Sequence, residues 1–264
     1  MARWLIPGAL CAAALSPAFA ADEMATDRPD FVESSDVVGK GRLQLETSVA
    51  GERDRSQGLT SRVTSTPTLL RLGVSEDLEL RVETDGRLRA SVRDDATGVR
   101  VVERGWSDTA VGLKWHLQDG DEKAGRPGMA LLLHADLDSG SAAFRGKGVR
   151  PSARLVFEWE LAGDWSLGAM PGVFVDRNDD DRHYVGGIAA VTLGRDWLEG
   201  RLHGFVELAG QRLARRRNGG SVVSGDVGVS WKITPTLQVD AALFKGLNRD
   251  APDLAWTTGL SVKF

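Results

Sequence analysis

The stretch Asp226-Val227-Gly228-Val229-Ser230-Trp231-Lys232-Ile233 decides how this chain is read. Val227, Val229, Trp231 and Ile233 fall on one side of an extended backbone. Asp226, Gly228, Ser230 and Lys232 fall on the other. A period of two over this length marks a strand with one apolar and one polar face. The pattern recurs outward in both directions. Leu260, Val262 and Phe264 oppose Gly259, Ser261 and Lys263. Leu155, Phe157, Trp159 and Leu161 oppose Arg154, Val156, Glu158 and Glu160. Val111, Leu113, Trp115 and Leu117 oppose Asp108, Ala110, Gly112, Lys114 and His116. Leu78, Leu80 and Val82 oppose Glu79, Arg81 and Glu83, and Leu43, Leu45, Thr47 and Val49 oppose Arg42, Gln44, Glu46 and Ser48. Beyond residue 20 no 3.6-residue period is sustained.

Twelve strands follow, at 40–51, 60–74, 78–88, 106–117, 129–138, 150–161, 165–176, 184–194, 200–212, 222–233, 237–246 and 255–264. Their connections fall into two classes. Ser75-Glu76-Asp77, Ala162-Gly163-Asp164 and Thr234-Pro235-Thr236 are tight turns, and 118–128 and 195–199 lie on the same side. The connections 52–59, 89–105, 139–149, 177–183, 213–221 and 247–254 are read as longer polar loops. Five turns alternating with six loops is the pattern of a twelve-strand antiparallel barrel with both termini on the turn side. Outer-membrane barrels keep short turns in the periplasm and long loops outside. The tryptophans agree: Trp115, Trp159, Trp165, Trp197 and Trp231 collect at the turn ends, and Trp106 and Trp256 at the loop ends. That distribution predicts two interfacial girdles. A soluble sandwich also buries tryptophans on one face, but it does not require the turn and loop alternation.

Composition is consistent with this. Beyond residue 20 no apolar run approaches the ~18 residues of a membrane-spanning helix. Mean hydropathy is only −0.20. A closed barrel tolerates that value, because only every second side chain faces lipid. The net charge of −4 gives no basic face for nucleic acid. Arg3, the apolar stretch Leu5–Leu15 and Ala18-Phe19-Ala20 read as a signal peptide over 1–20, cut after Ala20. The single cysteine, Cys11, lies inside this leader, behind Leu10, which does not suit lipidation. The mature chain then has no disulfide or thiolate metal site.

The segment Thr26-Asp27-Arg28-Pro29-Asp30-Phe31-Val32-Glu33-Ser34, followed by Gly39-Lys40-Gly41-Arg42-Leu43-Gln44-Leu45-Glu46, resembles the opening of a transporter family named for the meta-pathway of phenol degradation. The stretches Thr66–Arg71, Asp77–Arg81, Asp108–Trp115, Gly204–Glu207 and Gly246–Pro252 are similar to it too. Asp138-Ser139-Gly140 departs from the Pro-x-Gly expected there. The resemblance implies an outer-membrane, channel-like barrel. It also favours a plug role for residues 21–39, with Asp27, Arg28, Pro29, Asp30 and Glu33 as candidates. Charge predicts Arg28 paired with Glu46 or Glu79.

The predicted barrel, 40–264, lines its lumen with Arg42, Glu46, Arg71, Glu79, Arg81, Glu83, Asp108, Lys114, Arg154, Glu158, Glu207, Asp226, Lys232 and Asp240. Mixed signs suit weak ion selectivity or bracing pairs. With strands about 4.7 Å apart and tilted about 40°, twelve strands enclose a barrel about 23 Å across between backbones. Gly259, Val262 and Phe264 close a terminal strand pattern similar to the signal read by barrel-assembly machinery. Three other features are read against function. Asp176–Asp181 lacks the glycine and glutamate of a calcium loop. Arg215-Arg216-Arg217 is a charge run that could touch lipid phosphates. His134 and Asp136 share a face but lack a nucleophile motif. No cofactor, metal or catalytic residue is expected. The expected partners are outer-membrane lipid, the assembly machinery and a small-molecule solute, with no nucleic acid. Two functions fit: passive uptake of small solutes, apolar or aromatic ones among them, or a structural or adhesive barrel with an occluded lumen.

Overall fold

A computed structural model describes residues 23–264; the expected leader and its cleavage site lie outside the described residues. Fifteen strand segments form one antiparallel sheet. They are β1 (Leu43–Ser56), β2 (Leu59–Ser65), β3 (Thr68–Gly73), β4 (Leu78–Thr84), β5 (Arg87–Asp94), β6 (Arg100–Trp106), β7 (Thr109–Gln118) and β8 (Gly128–Leu137). They continue with β9 (Arg150–Leu161), β10 (Trp165–Arg177), β11 (His183–Trp197), β12 (Leu202–Leu213), β13 (Val222–Thr234), β14 (Leu237–Gly246) and β15 (Leu254–Lys263). β2 with β3, β4 with β5 and β6 with β7 are interrupted staves of one wall, so the barrel has twelve staves. It closes where β1 pairs with β15, from Gln44 opposite Lys263 to Arg53 opposite Leu254. Closure leaves the wall itself without an unpaired edge.

The three interruptions lie side by side. Pro67 has no N–H for the ladder, and Gly86 takes φ +65°. The wall is carried across by Ser48 N–H to Pro67 O (2.9 Å), Thr66 N–H to Asp85 O (3.0 Å) and Ser107 N–H to Gly86 O (2.9 Å). The alternation sorts the side chains as expected. Leu80, Val82, Val111, Trp115, Val206, Val227 and Trp231 face out and are exposed. Their partners in sequence face in: Glu79, Arg81, Lys114 and Glu207 are buried.

Two expected loops are corrected. Residues 52–59 are the tip of a hairpin in which β1 runs on to Ser56 and only Gln57-Gly58 turn, with φ +53° and +78°. Two positive φ values in a two-residue connection match the twist of the flanking strands. Residues 89–105 are mostly strand, since β5 and β6 fill them and turn only at 95–99. Arginine, serine and threonine replace the apolar set on one face here. The hydrophobic period therefore fades, although backbone pairing continues. The eighth stave runs over His183–Trp197, longer than the weak alternation of 184–194 indicated, and Trp197 ends it rather than lying in the turn.

Candidate functional site

Residues 24–38 lie inside the barrel without helix or strand, and 39–42 turn into β1. An extended chain leaves its N–H and C=O groups unpaired, and inside a closed wall they need partners. The inward side chains of the wall supply them. Glu207 accepts from Phe31 N–H and Val32 N–H, both at 2.8 Å. Glu46 accepts from Asp27 N–H (3.1 Å), Glu79 from Val38 N–H (3.0 Å) and Glu158 from Ser35 N–H (2.5 Å). Arg71 donates to Ala25 O (2.9 Å) and Asp36 O (2.9 Å), and Lys114 to Ser34 O (2.7 Å). Staves far apart in sequence thus hold one short segment.

Asp27 is the centre of the charge network. The ladder sets Arg71 directly opposite Arg81, a repulsive pair taken alone. Asp27 lies between them, 3.3 Å from Arg71 and 2.5 Å from Arg81, with Lys114 at 2.7 Å. Glu79 touches Arg71 (2.8 Å) and Arg81 (2.9 Å), and Glu46 touches Arg71 (3.0 Å). Glu33 joins Arg81 (2.6 Å) to Arg154 (2.8 Å). Four cations, Arg71, Arg81, Lys114 and Arg154, meet four acids, Asp27, Glu33, Glu46 and Glu79. Two of those acids belong to the segment, so within this cluster the wall contributes four cations against only two acids, Glu46 and Glu79.

Three segment carboxyls are shifted, and none lies on a strand. Burial raises Asp27, but Arg71, Lys114 and Arg81 outweigh it and hold the carboxyl well below the ordinary range. Burial raises Glu33 too, and Arg81 with Arg154 leaves it lowered. Asp30 is raised well above its ordinary value by burial and by Glu207, with no cation to compensate.

The remaining expected residues take distinct places. Arg28 pairs with Asp240 at 3.0 Å and donates to Thr257 (2.8 Å), rather than to Glu46 or Glu79. The expectation failed because Arg71 already occupies both glutamates. The Arg28–Pro29 peptide is cis. Lys232 meets Glu23 at 2.6 Å. Asp226 stands opposite Glu207 and accepts from Ser224 (3.1 Å). Glu83 lies 4.0 Å from His134. Asp108 accepts from Gly140 and Gly146 N–H and pairs with Arg150 (2.7 Å), so it fastens the third outer connection. Arg42 sits in the turn leading into β1 and joins none of these contacts. Gly259, Val262 and Phe264 lie in the stave that closes the barrel on β1 or just past its end. Asp176 is the last residue but one of β10, and Arg177, which ends it, pairs with Asp181 across the following turn (3.1 Å). Among the described residues no cluster of His, Asp and Glu is placed to hold a metal.

The sequence reading missed an apolar patch on the inner wall. Ala130 and Leu132 of β8, Val156 of β9, Met170 of β10, Ala190 of β11 and Ala209 of β12 form a buried cluster with Val32 of the segment. Phe31 packs against it and beneath the Arg154 guanidinium, 5.8 Å from the ring centre. The spacing of Ala130, Leu132 and His134 carried the signal, because it puts apolar residues on the luminal parity.

Arg28 and Pro29 line cavities on both sides of the segment. One, of about 490 Å³, opens toward the turn end by Gly120, Gly200 and Lys232. The other, of about 230 Å³, opens toward the loop end, between Phe244, Pro252 and Ala255 on one side and Glu52 and Asp85 on the other.

A closed antiparallel barrel with an apolar outer band and a charged interior is the architecture of an outer-membrane protein. The chain belongs to the family described as "Putative MetA-pathway of phenol degradation", which it matches over residues 26–264. No curated protein matches it in sequence. Among solved structures it is similar to an outer membrane channel from Pseudomonas putida F1, at 12% identity and TM-score 0.59 over 90% of this chain and 99% of that one. It is also similar to the KdgM porin, at 12% identity and TM-score 0.50 over 84% and 99%. The translocator domain of the autotransporter NalP from Neisseria meningitidis matches at 10% identity and TM-score 0.51 over 86% and 89%. A channel, a porin and a translocator share this barrel, so the likeness shows the fold and leaves function to the site.

Proposed function

We propose that this protein is a passive outer-membrane channel for small solutes, gated by its own N-terminal segment. The observation that carries this is the pair of cavities meeting at Arg28 and Pro29, one open to each end of the barrel. Only a short, non-regular segment lies between them. The outer cavity offers Phe244 and Pro252 beside carboxylates, a lining suited to small solutes with an apolar or aromatic part.

In this reading residues 1–20 are a cleaved leader, 21–39 the plug and 40–264 the channel wall. Both termini are periplasmic, with the short turns. Asp27, Arg28, Pro29, Asp30 and Glu33 belong to the plug, of which Asp27, Arg28 and Glu33 hold it through ion pairs, and the inward charges of the wall receive it. Gly259, Val262 and Phe264 serve recognition by the assembly machinery before the barrel enters the lipid. No residue is assigned a catalytic role. The alternative, a structural barrel with a permanently occluded lumen, is favoured by the complete charge balance around Asp27.

Single-channel conductance in a planar bilayer separates the two. Deleting residues 23–36 raises conductance and leaves heat-modifiable migration intact if the segment gates a pore. A correctly inserted deletion protein that conducts no more than the parent supports the occluded barrel.

A further inference from the structure

The strands that run into or beside the expected loops 52–59 and 89–105 form a small sheet, in the order upper β1, β2, β5, β6, rising from one side of the barrel. Its faces can be followed through the ladder, because residues directly opposite point the same way. On β1 the outward positions Leu45, Thr47 and Val49 lead to Gly51, Arg53 and Arg55. A side chain at Gly51 would strike Trp256, which confirms that this face is the outer one. From there Gly51 stands opposite Thr64, Thr64 opposite Arg89, and Arg89 opposite Arg104.

The outer face of this sheet is built of arginine. Arg53 is directly opposite Arg62, Arg89 opposite Arg104, and Arg93 opposite Arg100. Arg55 and Arg87 share the face. No strand position on it carries an acid. Among the described residues Asp95 pairs with Arg93 at 3.0 Å, and Asp253 accepts from the Arg55 backbone N–H at 3.0 Å. Arg53, Arg62, Arg87, Arg89 and Arg104 make no ion pair or side-chain hydrogen bond among the described residues. Three like-charged pairs across a ladder are destabilising unless an anion lies over them.

We propose that this face binds the phosphate groups of a phosphoglycolipid in the outer leaflet. The arginines begin at the level of Trp256 and Trp106, the aromatics of the loop-end girdle, and continue above it. Four residues separate Gly51 from Arg55, a rise of about 13 Å along the strand. A lipid there lays its chains on the apolar wall below and its phosphates on the guanidinium forks, which match phosphate in bidentate geometry. A free anion would use only the upper half of this surface. The inference depends on the loop end being the outer end, but its test in micelles does not.

The test is binding of the purified full-length barrel in neutral detergent. The probes are bisphosphorylated lipid A, the same lipid after dephosphorylation, and inorganic phosphate. The protein is expected to bind the bisphosphorylated lipid at least ~10-fold more tightly than either other probe. The triple variant Arg62→Gln, Arg89→Gln, Arg104→Gln should lose ~10-fold or more. A matched variant at the turn end, Lys123→Gln, Arg126→Gln, Arg201→Gln, should lose less than threefold. Equal binding of the dephosphorylated lipid overturns the proposal. Inorganic phosphate bound as tightly as the lipid points to a free-anion site and also overturns it. Equal loss in both triples reduces the effect to net charge. The wild-type comparison of the two lipids needs no variant to fold.

Discussion

The interior of this barrel has two unlike halves. The staves of β1, β3, β4 and β7 present Glu46, Arg71, Glu79, Arg81 and Lys114 to the segment. The staves of β8 to β12 present Ala130, Leu132, Val156, Met170, Ala190 and Ala209. The first half grips through directional, charge-assisted bonds; the second adds a water-excluding apolar patch beside its own polar anchors, Arg154, Glu158 and Glu207. The difference matters energetically. A buried ion pair is weak evidence of net stability, yet removing one partner strands the others at a cost of about 3–5 kcal/mol. An apolar contact is lost in proportion to the methyl groups removed. The charged contacts of both halves therefore fix where the segment sits, and the apolar patch adds affinity without register.

The harshest way to break this contrast is Asp27→Asn. It removes a negative charge from among Arg71, Arg81 and Lys114, all fully or nearly fully buried. Docking of the segment should weaken by about 3–5 kcal/mol. Hydrogen exchange of the Val32 and Ser35 amides should rise together with channel conductance. Unchanged exchange would show that the apolar half suffices alone.

Glu207→Gln comes next. The residue lies near the apolar patch but accepts two backbone N–H groups of the segment, and a glutamine keeps one acceptor oxygen. The loss should be about 1–3 kcal/mol, confined to Phe31 and Val32 exchange. Val32→Ala probes the apolar half directly. Two methyl groups leave a site where Val32 is 4% exposed, with an expected loss of about 1–2 kcal/mol. If Val32→Ala costs more than Asp27→Asn, the ranking of the halves is reversed.

The smallest effect is expected from Lys232→Ala. Its partner Glu23 is 64% exposed. Such pairs contribute about 0–1 kcal/mol and are screened by salt. Conductance should match the parent.

Acid should sharpen the same picture. A carboxyl whose folded pKa is lowered stabilises the docked state above its undocked pKa, and loses that contribution only as pH falls toward the lowered value. Asp27 and Glu33 are of this kind. A raised carboxyl such as Asp30 works the other way, opposing docking at neutral pH and less so in acid. Neither kind releases the segment in mild acid. Conductance should therefore not rise between about pH 7 and pH 5, and opening in that window would show that other groups control docking.

The sequence exposes the wall better than the site. Val227 to Ile233 and Leu78 to Val82 declare their faces because lipid demands an apolar side chain at every second position. Past the membrane boundary that demand ends. Residues 89–105 therefore looked like a loop, although cross-strand bonds carry β5 and β6 through them. The candidate plug residues could be named from the family resemblance and their charge, but Arg28 was given the wrong partner. Which carboxylate it meets depends on which are already taken, and that is set by neighbours across the lumen.

By itself, then, the sequence determined an outer-membrane barrel of twelve staves and the inward parity of its charges. Both follow from local rules: a two-residue period, turn chemistry and the cost of an unpaired backbone group in lipid. Only the tertiary structure decided that Arg71 and Arg81 face each other across Asp27, that Asp240 receives Arg28, and that the arginines of four separate strands share one outer face. These depend on register and closure. A shift of one residue in a single ladder would turn each of those side chains to the opposite face.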